Sequence, residues 1–318
     1  MAAPVRPQPP FASTVSAQAQ AAMAPMLSGQ SMPEMTLTLL RNPLTRPAVR
    51  LAARAPTRPI AKAWAKRWDV KVAKGRIAGV PVKQVRLRDA DRGDRRLLLN
   101  FHGGGFALDA GSLTETIPIA GLTGLPVVAV MYRMAPEHPY PAAVDDALAV
   151  YAEALRERPP GAVGVYGTSA GAILTLQLLA RIKAAGLPMP AAAGVFSGAA
   201  DLSRAGDCEG FLPPIVGERS SPAVLNDYCG SASRTDPLLS PALGDLSGLP
   251  PTMLMTSTRD QLLSHTVLAD LALRRAGVET DLRVFEGMAH GFWAWIECPE
   301  TDEALAAQAA FFTRHLVP

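Results

Sequence analysis

The chain has 318 residues, of which 48% are hydrophobic and 19% charged, a globular composition that excludes a disordered or fibrous polymer. Three Cys with no C-x-x-C pair exclude a disulfide scaffold, a zinc ribbon and a thioredoxin-type redox pair, and fit a reduced, intracellular protein. The net charge of +3 hides an asymmetry: residues 41–76 carry eleven Lys/Arg against Asp69 alone, a local +10 that leaves −7 for the rest.

Residues 1 to about 40 are rich in Ala, Pro, Met and Gln, with a short helix expected near Glu34–Arg41. The longest uncharged stretch, between Arg6 and Glu34, holds four Gln and five Pro. It is neither a membrane span nor a signal-peptide core, despite Ala17-Gln18-Ala19, so a soluble cytoplasmic protein is expected. In the basic segment Arg46, Arg50, Arg54, Arg58, Lys62 and Lys66 recur every four residues, and Pro47, Pro56 and Pro59 interrupt any single helix through them. The segment reads as the solvated face of short helical pieces. No aromatic-interleaved motif accompanies it, so no nucleic-acid partner is expected.

From residue 80 the text changes to apolar strands alternating with helices. Val82–Arg88 alternates as a half-buried strand does, and Arg96–Phe101 and Pro126–Tyr132 read as buried strands. Ala142–Arg156 is helical, Ala162–Tyr166 a short strand, and Ser169 to about Ala184 a helix. Ala191–Phe196, Thr252–Met255 and Asp281–Phe285 are further strands, with helices over Ser264–Ala276 and Thr301–His315. Strands separated by helices predict βαβ units, hence an α/β fold with a mostly parallel sheet covered on both faces. Residues 201–235 break the rhythm and contain an apolar patch, Phe211–Val216; they read as an excursion over the sheet.

Two glycine-rich motifs carry chemistry. Gly167-Thr168-Ser169-Ala170-Gly171 has the form G-x-S-x-G, which chance alone places in roughly one chain in ten of this length. Its context gives it weight: an apolar strand runs into it and an apolar-periodic helix runs out, the arrangement of a nucleophile elbow with Ser at its tip. His102-Gly103-Gly104-Gly105-Phe106 follows a strand in the same way. It lacks the Lys-Ser/Thr ending of a phosphate loop and has the form of an esterase or lipase oxyanion loop.

A Ser nucleophile needs a base and an orienting acid. Among five His, His290 stands in a loop directly after the last strand, at the sheet edge where open α/β folds assemble their sites. His102 more simply shapes the Gly loop, while His138, His265 and His315 lie in a turn, at a helix start and near the C-terminus. For the acid, Asp260 follows strand Thr252–Met255, and its rivals are Asp236, Asp281 and Glu286. The chain order Ser169, Asp260, His290 is the α/β-hydrolase order.

Together with Tyr132-Arg133-Met134-Ala135-Pro136-Glu137-His138-Pro139 and its continuation to Asp146, and with Asp236-Pro237-Leu238-Leu239-Ser240-Pro241, these motifs make residues 80–318 resemble the hormone-sensitive-lipase family of α/β-hydrolases, the bacterial family IV esterases. Thr168 is similar to the G-T-S-A-G subgroup. The resemblance implies Ser169 as nucleophile, His290 as base, Asp260 as its partner, and Gly103, Gly104 and Ala170 as oxyanion N–H donors. It implies structural roles for Glu137, Asp145 and Asp236. It also implies a two-part cap over a catalytic core: residues 1–80 and the 201–235 insertion form the cap, 81–200 and 236–318 the core. A homodimer through the last strand is a further implication. Gln261-Leu262-Leu263-Ser264-His265 departs from the Pro-Leu-Arg-Asp-Glu that many members carry after the acid.

The expected activity is hydrolysis of short- to medium-chain carboxylic esters with no metal or organic cofactor. An amidase or deacetylase on the same triad is the nearest alternative, and a non-catalytic small-molecule receptor the more distant one. Cys208 and Cys229 fall in the expected cap and are expected to be reduced and buried rather than paired.

Overall fold

Leu97, Leu99 and Phe101 face one side of a central strand and Leu98 the other, and both sides end in dense apolar clusters. The period-2 alternation of Cβ atoms thus feeds two cores at once, as a sheet covered on both faces requires. A computed structural model describes residues 11–27, 34–89, 93–210, 212 and 223–318; of the apolar patch Phe211–Val216, all but Leu212 lies outside the described residues.

The elements in chain order are α1 (Ala17–Leu27), α2 (Glu34–Arg41), α3 (Arg46–Ala53), α4 (Thr57–Arg67), β1 (Val70–Ile77), β2 (Val80–Leu87), β3 (Leu97–Phe101), α5 (Ile117–Thr123) and β4 (Val127–Val130). There follow α6 (Ala142–Glu157), β5 (Val163–Thr168), α7 (Ala170–Ala184), β6 (Ala192–Phe196), α8 (Ala223–Cys229), β7 (Thr252–Ser257), α9 (Leu263–Arg275), β8 (Thr280–Phe285) and α10 (Pro299–His315). The eight strands form one sheet in the order β1-β2-β4-β3-β5-β6-β7-β8. β1, β2 and β4 pair antiparallel, and all pairings from β4 to β8 are parallel. Side chains of α6, α7 and α9 fill one core; those of α1, α4, α5 and α10 fill the other.

The expected fold class is the observed one, an α/β-hydrolase fold with a mostly parallel eight-stranded sheet. Three features depart from the expectations. β1 is an additional edge strand inside the basic run: only Val70 of its eight residues is buried, so it shows no apolar alternation to read. The described residues among the first 80 divide between two places. Leu40, Ala53, Pro56 and Thr57 line a cavity, whereas Val15, Ala19, Met23 and Trp64 are packed in the core and β1 joins the sheet. The basic stripe is not uniformly solvated either. Arg46 pairs with Glu137, Arg50 binds Glu137 and the carbonyls of Ala107 and Ala135, and Arg54 pairs with Asp109. Only its continuation, Arg58, Lys62 and Lys66, is exposed. The inward half is drawn in by carboxylates and carbonyls that lie more than fifty residues away in sequence.

Glu137, held by Arg46 and Arg50, and Asp145, bound by Arg181 at 2.7 Å, tie surface elements together. Asp236 closes its own turn by accepting the Leu238 amide at 2.9 Å. Cys208 and Cys229 are buried free thiols, as is Cys298. Among the described residues, no helix is long and apolar enough to cross a membrane.

Candidate active site

Every parallel strand ends at one edge of the sheet, and the chemistry-bearing residues follow those ends: Gly103–Gly105 after β3, Ser169 after β5, Asp260 after β7 and His290 after β8. This is the edge at which open α/β sheets bind ligands.

At the end of β5 the chain reverses within one residue. Ser169 has φ 59° and ψ −121°, a conformation that costs about 1–3 kcal/mol for a residue with a side chain. Its amide donates to the Phe196 carbonyl at 2.8 Å, which helps to hold the bend. The two flanking glycines are required by space. A Cβ on Gly171 would lie 1.7 Å from the Phe101 oxygen, and one on Gly167 would lie 2.4 Å from the Gly171 carbonyl carbon. The bend places the N-terminus of α7, with its free amides and positive partial charge, beside the Ser169 side chain.

Asp260 is fully buried, and His290 sits directly on it, Nδ1 to Oδ1 at 2.8 Å. The other carboxylate oxygen accepts the hydroxyls of Ser197 and, at 3.1 Å, Thr256, while the Leu262 amide donates to Oδ1 at 2.9 Å. Burial pushes the Asp260 carboxyl up, but His290 and these donors outweigh it and hold it below the ordinary carboxylate range. An ionised carboxylate on Nδ1 fixes the imidazole with Nε2 free to take a proton. The N-terminal segment props this loop: the Ala289 amide contacts Met23 Sδ at 3.2 Å, and the Thr14 hydroxyl donates to Glu286 at 2.6 Å.

Ser169 and His290 line the same cavity, of about 530 Å³, together with Gly104, Gly105, Ala170 and Leu202. The loop after His290 abuts the elbow, since a Cβ on Gly291 would lie 3.3 Å from the Thr168 methyl. Among the described residues, no hydrogen bond joins the Ser169 hydroxyl to the imidazole; such bonds commonly tighten only in the complex with substrate. The rival acids lie elsewhere. Asp281 is engaged by Arg283, and Glu286 by Thr14.

The oxyanion assignment needs one correction. The Gly103 amide already donates to Glu115 Oε1 at 2.9 Å and is not available to a substrate. The Gly104 and Gly105 amides, by contrast, have no protein acceptor among the described residues, and both glycines line the cavity at positive φ, 120° and 62°. The available donors are therefore Gly104, Gly105 and Ala170, one residue further along the loop than expected. The acceptor that takes Gly103 stands twelve residues downstream and belongs to no motif. His102 shapes the loop as expected: its Nδ1 contacts the Gly103 carbonyl at 2.9 Å and its ring stacks on Tyr132 at 4.4 Å. Burial pushes this imidazole down, which keeps it neutral.

Several participants carry no sequence signature. Ser197, Thr256 and Glu115 are ordinary residue types, although Ser197 stands just past the end of β6 and could have been sought there. His265, expected only as part of a helix start, lines the cavity and contacts Glu209 at 2.5 Å, joining α9 to the excursion.

A family profile described as alpha/beta hydrolase fold matches residues 98–294. An acetyl-hydrolase of Streptomyces hygroscopicus is 35% identical over 235 residues, covering 69% of this chain and 76% of that protein. The crystal structure of an esterase named E25 superimposes with a TM-score of 0.85 at 33% identity, covering 98% of this chain and 97% of that one. The crystal structure of an esterase from the bacterial hormone-sensitive lipase family gives a TM-score of 0.73 at 25% identity, over 89% of this chain and 98% of that one. With its strand order, its elbow and these likenesses, the chain belongs to the alpha/beta hydrolase family, in the bacterial hormone-sensitive-lipase branch of esterases.

Proposed function

We propose that the protein is a carboxylesterase that cleaves short- to medium-chain esters through an acyl-enzyme on Ser169. The observation that carries this reading is the Asp260–His290 pair at 2.8 Å in the wall of the cavity that also holds the strained Ser169. His290 takes the Ser169 proton as the hydroxyl attacks the ester carbonyl, and the Gly104, Gly105 and Ala170 amides receive the charge that develops on its oxygen. His290 then returns the proton to the departing alcohol. Water repeats the sequence to release the acid and free Ser169.

A cavity of about 530 Å³, lined by Leu40, Leu108, Ile173, Leu202 and Leu225, supports an uncharged acyl group of modest length. We read the α2–α3 region and the excursion between β6 and β7, which supply much of that lining, as the cap. Among the described residues no strand pairs with the outer edge of β8, which supports its use as a homodimer face. The three buried thiols fit a reducing, cytoplasmic location.

A fluorophosphonate probe tests the nucleophile, because only an activated Ser reacts with it. The wild type is expected to take up one probe on the peptide containing Ser169 and to hydrolyse p-nitrophenyl esters with an optimum at a short or medium acyl chain. Labelling at another residue, or preference for long-chain emulsified triglyceride, would overturn the assignment of site or of substrate respectively.

A further inference from the structure

Three segments of the candidate site meet on one buried carboxyl that the mechanism above does not use. Glu115 is 4% exposed. Its Oε1 accepts the Gly103 amide at 2.9 Å and its Oε2 the Asn100 side-chain amide at 3.1 Å. The Thr168 hydroxyl lies near enough to pull this carboxyl down. Thr168 immediately precedes Ser169, and its Oγ1 accepts the indole N–H of Trp293 at 3.1 Å, three residues past His290. Glu115 therefore joins the oxyanion loop, the elbow and, through Thr168, the segment that carries the base.

The geometry points to Glu115 as a positioning residue for ester hydrolysis: by fixing the Gly103 amide it aims the two amides that follow and sets that loop in register with Thr168 and Ser169, against which Gly103 lies. The inference rests on the esterase reading of the site. The anchoring is local enough to matter. A Cβ on Gly103 would lie 3.4 Å from the Ser169 Cβ and 3.1 Å from the Thr168 carbonyl oxygen, so a shift of this glycine is a shift of the oxyanion loop against the nucleophile. Displacement of catalytic groups by about 1 Å can cost about 10²-fold in rate.

The donors around Glu115 suit its ionised form. The Gly103 and Asn100 amides each give a proton to it, and Asn100 turns its amide nitrogen toward the carboxylate while its own oxygen has no partner. Burial pushes this carboxyl up to about 7, against the pull of the Gly103, Asn100 and Thr168 donors, with the Asp109 carboxylate adding to the rise. Asp109 is itself paired with Lys83 and Arg54. Of the other titratable groups nearby, Tyr166 donates its hydroxyl to the Glu115 carbonyl oxygen, and burial keeps Tyr166, Tyr132 and His102 uncharged. Protonation near neutral pH puts a hydrogen on an oxygen that now accepts one, and loosens the anchor. Activity then requires Glu115 to be ionised in addition to a base that is free to accept the Ser169 proton.

The test compares wild type, Glu115→Ala, Glu115→Gln and Thr168→Val on p-nitrophenyl acetate across pH 5.5–9, with active sites counted by fluorophosphonate titration and with inhibition by a trifluoromethyl ketone, which mimics the tetrahedral intermediate. Glu115→Ala is expected to lower kcat per titrated site about 10²-fold with KM within about threefold, and to weaken the ketone in parallel. Glu115→Gln, which keeps an acceptor for Gly103 but, like the protonated acid, puts hydrogens where the other oxygen accepts the Asn100 amide, is expected to hold a rate between those of wild type and Glu115→Ala. It is also expected to change the acid limb of log kcat/KM from steeper than one proton to a single-proton slope. Thr168→Val is expected to lose about three- to tenfold in kcat. If Glu115→Ala does not fold, the slope in Glu115→Gln decides. A Glu115→Gln enzyme with the wild-type pH slope, or a folded Glu115→Ala with wild-type kcat and ketone affinity, overturns the inference while leaving the esterase reading intact. A wild type that neither turns over esters nor takes the probe overturns the esterase reading itself.

Discussion

Two carboxyls are sealed beneath the cavity, and the protein pushes them in opposite directions. Asp260 is held below its ordinary range, Glu115 is raised to about 7, and both are buried. Asp260 faces an imidazole that can share a charge, plus hydroxyls of Ser197 and Thr256 and a backbone amide. Glu115 has neutral donors, among the described residues no cation against it, and the Asp109 carboxylate nearby. Burial alone does not decide the charge state of a buried acid; what it faces does. One carboxyl is wired to His290, the other to the Gly103–Gly105 loop, and the contrast gives each a distinct experimental signature.

The largest expected effect breaks the Asp260 side. Asp260→Asn preserves shape but offers the imidazole no ionised partner, so kcat on p-nitrophenyl acetate is expected to fall about 10³–10⁴-fold with the fold retained. A loss under tenfold would show that another acid orients His290. A smaller effect sharpens the same side. Ser197→Ala removes one donor from the charged oxygen, and a hydrogen bond to a charged group contributes about 1.5–3 kcal/mol, so steady-state assays should show at least about a tenfold loss in kcat. An unchanged kcat would mean that Thr256 and Leu262 suffice.

The smallest effect separates the two carboxyls by stability. Asp260, with its folded value depressed, stabilises the fold above the ordinary carboxylate range and loses that contribution as pH falls through the folded value. Glu115 does the reverse. Its stabilising contribution is present below about 4.5 and is lost as pH rises through about 7, where the buried charge costs about 3 kcal/mol. The Tm of Glu115→Gln relative to wild type is therefore expected to rise by several degrees between pH 5 and pH 8. A constant difference across that range would remove Glu115 as a titrating group.

The sequence makes legible those candidate site residues that sit in motifs at strand ends. Ser169 announces itself by two glycines that close packing demands, and Asp260 and His290 by their places after the last two strands. It leaves unmarked the residues that tune them. Ser197 lies 63 positions from Asp260 and Glu115 lies 53 from Thr168, so nothing local marks either contact. That the Gly103 amide is taken by Glu115 is hidden for the same reason: a glycine-rich loop shows that amides are exposed, not which of them is already bound. In the fold, strands β2 to β8 and helices α6, α7, α9 and α10 are legible from apolar periodicity, with ends that shift by a few residues, whereas α1, which buries Ala19 and Met23, and the seven-residue α5 are not. Nor is β1, because an exposed edge strand of Lys and Arg has no buried face to reveal it.

The central claim is that Ser169 carries the acyl group. Rapid mixing of the wild-type protein with p-nitrophenyl acetate, an acid quench and peptide mass spectrometry test it most directly. The account predicts one acetyl group per chain, on the peptide containing Ser169, and none in Ser169→Ala, which should also lose turnover. An acetyl group on a different residue, or a Ser169→Ala protein that releases nitrophenol at the wild-type rate, would contradict it.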